Sequence, residues 1–399
     1  MQTMATSPLD ARQLTTERRK SAWFKAATFQ AMVFSAVALL PTVASAQTAE
    51  NGAKPARGVV ADGMAAADHA TAKTAAPPAV DVDPNQHEDG RPIHGDEVHV
   101  RVWHADAKVA NTAIAAAIGE IARISAKLSP DVRTSEVATI NRAASKEEVI
   151  VSSETFRLLS NSLDLCRMTA GAFDPTVASF DYLWNFRRRP AVRPLDDEIK
   201  SRLALVGCSN IVLKPGRIVR LLHHGVRISL SELEHGHGLE AAAGVLRAAG
   251  VENFRVRIGS DVYVAGHTGT RHWYVAVRHP DDPRRDLVQL YLSSHAAATR
   301  HHAEHYFVKD GKRYHDVIDP RNGRPRLGIV SATVIAIDAV QADALSAAVF
   351  VLGPQDGIAL IEKTTNVEGF VVDLAGKIYA SRGMGDFARL PAHIDLQAH

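Results

Sequence analysis

Cysteine is scarce: the chain holds only Cys166 and Cys208. That is too few for a disulfide framework, and without CxxC spacing at most one bridge is available. An excess of charge of one sign is also lacking. With 46 basic and 44 acidic side chains the net charge is +2, so no global field draws the protein to nucleic acid or to an anionic membrane. There is no HExxH helix, no complete dinucleotide fingerprint and no internal repeat. The apolar run from Ala31 to Ala46 is shorter than the roughly 20 residues a spanning helix needs, and Pro41 breaks it. No cysteine follows that run, which excludes a lipoprotein anchor.

What is present begins with "TTERRKSAWFKAATFQAMVFSAVALLPTVASAQ". A basic region with Arg18 and Arg19, an apolar run and Ala44-Ser45-Ala46 stand in the order of an export signal, with cleavage expected after Ala46. The paired arginines, followed by Trp23-Phe24-Lys25, are similar to the twin-arginine type. Residues 1–46 therefore read as a signal peptide and the mature chain as exported and periplasmic, with no membrane span once the signal is removed. Residues 47–96 are rich in Ala, Pro, Asp and Gly with few large apolar side chains. Such a composition cannot offset its ordering entropy and reads as a disordered tether.

The folded domain is expected over residues 97–390. "EVHVRVW" alternates Val98, Val100 and Val102 with polar residues, as a half-buried strand does. Ile114, Ile118, Ile121 and Ile124 then recur at helical spacing. Further helices are expected over Ser153 to Thr169, after "LDDEI", and at "LEAAAGVLRAAG", closed by Gly250. Strands dominate from "FRVRIGSDVYVAG" onward, including a hairpin "YFVKDGKRYHDVI" turned by Asp310-Gly311. Helices mixed with antiparallel strands, without regular βαβ alternation, define the α+β class. The 46% of hydrophobic residues supply a large core.

Several stretches could carry chemistry. In "GAFDPTV" the Asp174-Pro175 step forces extended backbone, which leaves loop backbone groups free for a ligand or simply tucks Phe173 into the core. Asp343 stands near the start of the helix in "QADALSAAVFVLG", with Ser346 and Ala347 three and four positions on. A carboxylate and hydroxyls there suit magnesium, which takes oxygen ligands. A helix cap is the alternative. Eight histidines, His223, His224, His235, His237, His301, His302, His305 and His315, crowd one stretch. They suit either a transition metal or hydrogen-bonded structural roles. In "RISLSELEHGHGLEAA" the turn through Gly236 and Gly238 could hold a phosphate on helix N-terminal amides.

Taken in order, these stretches resemble the FAD:protein FMN transferases, the ApbE family. "GAFDPTVASFDYLW" matches its flavin loop, and "RIGSDVYVAG" with "HWYVAVRHP" parallels its Gly-Gly-Asp strand and following Trp. "ATRHHAEHYFVKDGKRYHDVIDPRNGRP" parallels its Thr-Ser-Gly-Asp-Tyr run and His-Ile-Ile-Asp-Pro-Arg-Thr-Gly motif, and "QADALSAAVFVLG" its metal helix. The resemblance implies a T-fold-like mixed antiparallel sheet with packed helices. It also implies FAD as substrate, Mg2+ as cofactor, and transfer of FMN to a Thr or Ser of an acceptor flavoprotein in a redox membrane complex, with release of AMP. By the same resemblance Ala172, Phe173, Asp174, Ser229 and His235 are expected at the flavin, and Asp343, Ser346 and Glu232 at the metal.

The match departs from the family at chemistry-bearing positions. Ala347 stands where the family has a metal-binding Thr, Ser229 where it has Asp, His235 where it has Lys or Glu, and Asp131 where it has a flavin-stacking Tyr. Arg300 and His301 interrupt the Thr-Ser-Gly run. Asp316 occupies the position of the family histidine, so Asp316 is expected as a substitute base with His315 beside it as the second candidate. These departures make impaired transfer part of the expectation; a non-catalytic flavin- or partner-binding protein on the same scaffold and a His-rich transition-metal binder are the alternatives.

Overall fold

A computed structural model describes residues 83–389 apart from 185, 187–191, 270 and the side chain of 283. The expected signal peptide and the tether up to residue 82 lie outside the described residues. Strands β1 (Gln86–Ile93), β2 (Asp96–Trp103), β3 (Asn253–Ile258), β4 (Asp261–Ala265), β5 (His295–His301), β6 (Ile329–Ala336), β7 (Val367–Asp373) and β8 (Ile378–Ala380) form one sheet. Their order across the sheet is their order in the chain, and every pairing is antiparallel.

The expected tether ends earlier than residue 96. β1 pairs with β2 from Gln86 opposite Trp103 to Ile93 opposite Asp96. His94 and Gly95, at φ 49° and 105°, make the turn. Apart from Ile93 none of its side chains is buried, so this edge strand is held by main-chain hydrogen bonds that no hydrophobic pattern announces. Pro92 is compatible with an edge position.

Helices α1 (Ala107–Leu128), α2 (Ser231–Ala248), α3 (Ala339–Leu352) and α4 (Pro354–Lys363) cover one face. Ile114, Ile118 and Ile121 of α1 pack there with Val98, Val100 and Val102, as the two periodicities require. A three-stranded sheet of Trp273–His279, Asp282–Leu292 and Ala388–Arg389 covers the other face, packing Trp273, Val288 and Leu290 on Val264, Ile335 and Phe370. Covered on both sides, all eight residues of β6 are buried. Helix α3 is likewise buried all round from Asp343 to Val351, because a further apolar cluster built on the helix Ser153–Met168 packs behind it. A disulfide, Cys166–Cys208, ties the end of that helix to the turn Cys208–Asn210.

The expected phosphate-holding turn at Gly236 and Gly238 is absent. α2 starts at Ser231, and both glycines lie inside it. A Cβ on Gly236 would come within 2.3 Å of Ala339 O and 2.6 Å of Val340 Cα. Its glycine is thus a notch that lets α3 cross against α2. Gly236→Ala should cost about 1–3 kcal/mol by overpacking, read as a lower urea midpoint with an unchanged slope.

Candidate active site

The loop expected at the flavin leaves the helix Ser153–Met168 through Ala170 and Gly171, at φ 49° and 78°. Its amides are not free, contrary to expectation. Gly171 N–H bonds Cys166 O at 2.9 Å, Ala172 N–H bonds Thr169 O at 3.1 Å, and Phe173 N–H bonds Thr169 Oγ1 at 3.1 Å. Ala172 and Phe173 are buried in the cluster behind α3, so their side chains pack. Asp174, also buried, caps the short helix Pro175–Phe180. It accepts from the Thr176 N–H at 2.8 Å and from its hydroxyl. Burial pushes the Asp174 carboxyl up against the pull of those bonds. The Ser229 N–H, bonded to Pro175 O at 2.9 Å, fastens this loop beside the start of α2, where Ser229 Oγ meets Ser231 Oγ at 2.8 Å.

From α2, β4, β5 and α3 a buried charge cluster converges next to that loop. His235 lies between two carboxylates, with Nδ1 3.0 Å from Asp261 Oδ2 and Nε2 3.1 Å from Asp96 Oδ2. Burial opposes its charge, but the two acids prevail and hold the imidazole well above its usual range. Asp261, fully buried, also accepts the Thr299 N–H at 2.9 Å. Asp343 is likewise fully buried. Its Oδ2 accepts the Gly236 N–H at 2.9 Å, and its Oδ1 accepts from Arg300 Nη2. Burial, with Asp261 nearby, pushes its carboxyl up to about 6 against the pull of Arg300. The cap of α3 is Asp338, which accepts from Gln341 N–H, so Asp343 does not cap that helix.

Half-buried Glu232 sits at the meeting point. Desolvation first, then the charges of Asp343, Asp316 and Asp174, push its carboxyl up to about 7, while Arg300 pulls it down. Glu234 is pushed to about 7 as well, chiefly by burial. A carboxyl whose folded pKa is raised gives stability that is complete below its unfolded value, 4.5 here, and is lost as pH rises through about 7. His235, raised above 6.5, has the same sign at higher pH. The melting temperature should therefore fall from about pH 6.5, above which the lowered histidines His302 and His315 add nothing further, to about pH 8, as differential scanning fluorimetry would record.

The two candidate bases separate. His315 faces inward: it is buried, its Nε2–H donates to Arg326 O at 2.9 Å, and its ring meets Phe350 edge-on. Desolvation pushes it down to about 4, and it belongs to the core. Asp316, one residue on, points out on the other side, as strand alternation requires. Its Oδ2 lies 3.0 Å from His305 Nδ1. The hairpin Tyr306–Lys309 and Lys312–His315 makes this contact: its register pairs Tyr306 with His315, and the next step, Asp316 N–H to His305 O at 3.1 Å, sets 305 against 316. Reading the Asp310-Gly311 turn outward would have found His305. Asp96 gave no such signal, and Asp261 and Arg300, though they stand in motifs already noted, gave none of their partners, because strand neighbours and helix crossings bring those together.

The residues present do not fit a magnesium ion. Both Asp343 oxygens are engaged, the Ser346 hydroxyl donates to the Asp343 main-chain O at 2.7 Å, and Ala347 offers no side-chain ligand. The histidines do not converge either. His237 meets Glu154 at 2.9 Å, His302 meets Asp281 at 3.2 Å, and His223 and His224 are exposed. Among the described residues the one trio of metal-donor side chains whose donor atoms all lie within 4.8 Å of one another is Cys166, Asp174 and Cys208, whose sulfurs are spent in the disulfide.

An antiparallel sheet in chain order, helices on one face and a polar cluster where α2, α3 and β5 meet define an α+β protein with a site built between motifs far apart in the chain. The protein belongs to the ApbE family, whose pattern it matches over residues 94–371. A Vibrio cholerae FAD:protein FMN transferase is 30% identical over 263 residues, covering 65% of this chain and 78% of that relative. The crystal structure of the ApbE protein from Thermotoga maritima superposes with a TM-score of 0.71 at 31% identity, over 76% of this chain and 99% of that one. The flavin transferase ApbE from Vibrio cholerae gives 0.66 at 29% identity with the same coverage. Among the described residues no helix is long and apolar enough to cross a membrane.

Proposed function

We propose that this chain transfers FMN from FAD to a Thr or Ser hydroxyl of an acceptor flavoprotein of a redox membrane complex, releasing AMP. One observation carries the reading. The Ser229 N–H bonds Pro175 O of the expected flavin loop at 2.9 Å beside the start of α2, the Gly236 N–H of α2 bonds Asp343 Oδ2 at 2.9 Å, and Arg300 of β5 bonds Asp343 Oδ1, so motifs some 170 residues apart in the sequence meet at one place. In the reaction the acceptor oxygen attacks the phosphorus on the flavin side of the pyrophosphate. The bond from that phosphorus to the bridging oxygen breaks, and AMP leaves with the electron pair. The hydroxyl proton goes to a base.

His305 and Asp316 supply that base. A carboxylate on Nδ1 holds the imidazole as the Nδ1–H tautomer, with Nε2 as the proton acceptor. Asp316 is therefore the orienting partner, and the imidazole missing at position 316 returns on the opposite strand. Magnesium, implied by the resemblance, has no ready ligand set among these side chains. Chromatography of FAD incubated with the protein and an acceptor domain tests the reading: stoichiometric AMP and covalent flavin are expected. FAD bound without AMP release would instead favour the non-catalytic alternative.

We also propose export to the periplasm. The order of basic, apolar and Ala-Ser-Ala regions supports it, and a Cys166–Cys208 disulfide suits an oxidising compartment. N-terminal sequencing of secreted protein should return Gln47, and recovery of chains that begin at Met1 would sink this.

A further inference from the structure

We propose that the Arg300 guanidinium occupies the place of the divalent cation, so that this chain handles the flavin dinucleotide's pyrophosphate without metal. Arg300 leaves β5 beside α3 and pairs with Asp343, the carboxylate that the resemblance assigns to the metal. Only 13% of its side chain is exposed. A guanidinium stays cationic at any working pH, and here it lies against Asp343. A second cation there would meet a fixed positive charge in a desolvated site, where repulsion is strong. It would also find Asp343 already bonded and no side-chain ligand at Ala347.

The guanidinium also has something left to give. Its Nε–H is buried without a hydrogen-bond partner, a costly state for a charged donor. A guanidinium presents Nε–H and Nη–H as a planar fork that matches two phosphate oxygens. The orphaned donor, set in the cluster that Glu232 shares with the flavin loop, is what a phosphate oxygen would satisfy. The loss of the Thr at 347 and the gain of Arg at 300 then form one exchange: a fixed organic cation for a bound metal. The pyrophosphate part of this inference rests on the proposed function, whereas the exclusion of metal does not.

Two titrations decide it. In the first, Mn2+ alone is followed by its electron paramagnetic resonance signal with the whole mature protein. No binding is expected up to millimolar metal for the unaltered chain, and one site is expected to appear in Arg300→Ala with Ala347→Thr. A tight Mn2+ site in the unaltered chain that disappears in Asp343→Asn would overturn the proposal. In the second, flavin fluorescence gives FAD affinity in EDTA and in Mg2+. The two values should coincide for the unaltered chain, and Arg300→Ala should weaken FAD about tenfold in EDTA, the change that 1.4 kcal/mol brings. Affinity that rises about tenfold on adding Mg2+ to the unaltered chain would overturn it as well. Arg300→Lys, which keeps the charge and loses the fork, guards against misfolding of the alanine variant: it should still exclude Mn2+ yet bind FAD more weakly. If FAD binds under neither condition the proposed function falls, while the Mn2+ titration still judges Arg300.

Discussion

His305→Ala is expected to lower AMP release from FAD by about 100-fold to 10,000-fold, the range for loss of a positioned base. The argument is geometric. His305 Nδ1 lies 3.0 Å from Asp316 Oδ2, both side chains are 38% exposed, and truncation at the end of a surface hairpin removes no core packing. The pair is also tied to the site: His305 lies close enough to Asp96 to help lower its carboxyl, and Asp316 raises that of Glu232. Asp316→Asn should cost less than loss of the imidazole, because the ring remains but its tautomer is no longer held by a charge. Stopped assays of AMP across pH 5 to 9 measure both effects. AMP release by His305→Ala at the rate of the unaltered protein would remove the pair from the mechanism.

His235→Leu is expected to cost about 3–5 kcal/mol of stability, the usual effect of removing one partner from a buried ion pair. Asp261 is fully buried, and without the imidazole it keeps the Thr299 N–H and the more distant pull of Arg300. Asp96 loses its partner too. Urea denaturation should show the loss, and Asp261→Asn added to His235→Leu should recover part of it, because an amide is neutral where the carboxylate is stranded. The pH dependence has a definite sign. The folded pKa of His235 lies above its unfolded value of 6.5. Its contribution is therefore complete below that value and disappears as pH rises through the folded one. The lowered pKa of Asp261 makes that residue stabilising above 3.8, and this is lost as pH falls through its folded value. Equal urea midpoints for the variant and the unaltered chain at pH 6 would show that the cluster contributes no stability.

How much of this was legible beforehand depends on the range of the interaction involved. The valines of β2, the isoleucines of α1, the Asp310-Gly311 hairpin and the Gly250 stop all follow from period, propensity and turn chemistry, which act within a few residues. The α+β class followed from their order. β1 did not, since an edge strand held by main-chain bonds carries no side-chain signature. The glycines of α2 misled for a related reason: a loop and a close helix crossing both want glycine, and only the position of Ala339 O distinguishes them.

At the site the sequence by itself determined which residue types were available and which were gone, namely the missing histidine at 316, the missing Thr at 347, and an arginine where a small residue was expected. What Arg300, His305 and His235 do was decided by tertiary structure alone. Charge interactions act through space over several ångströms with a strength set by burial, and neither distance nor burial can be read from sequence separation. Arg300 and Asp343 stand 43 positions apart and form an ion pair, whereas His315 and Asp316 are neighbours in the chain and face the core and the site, because successive side chains of a strand point to opposite sides.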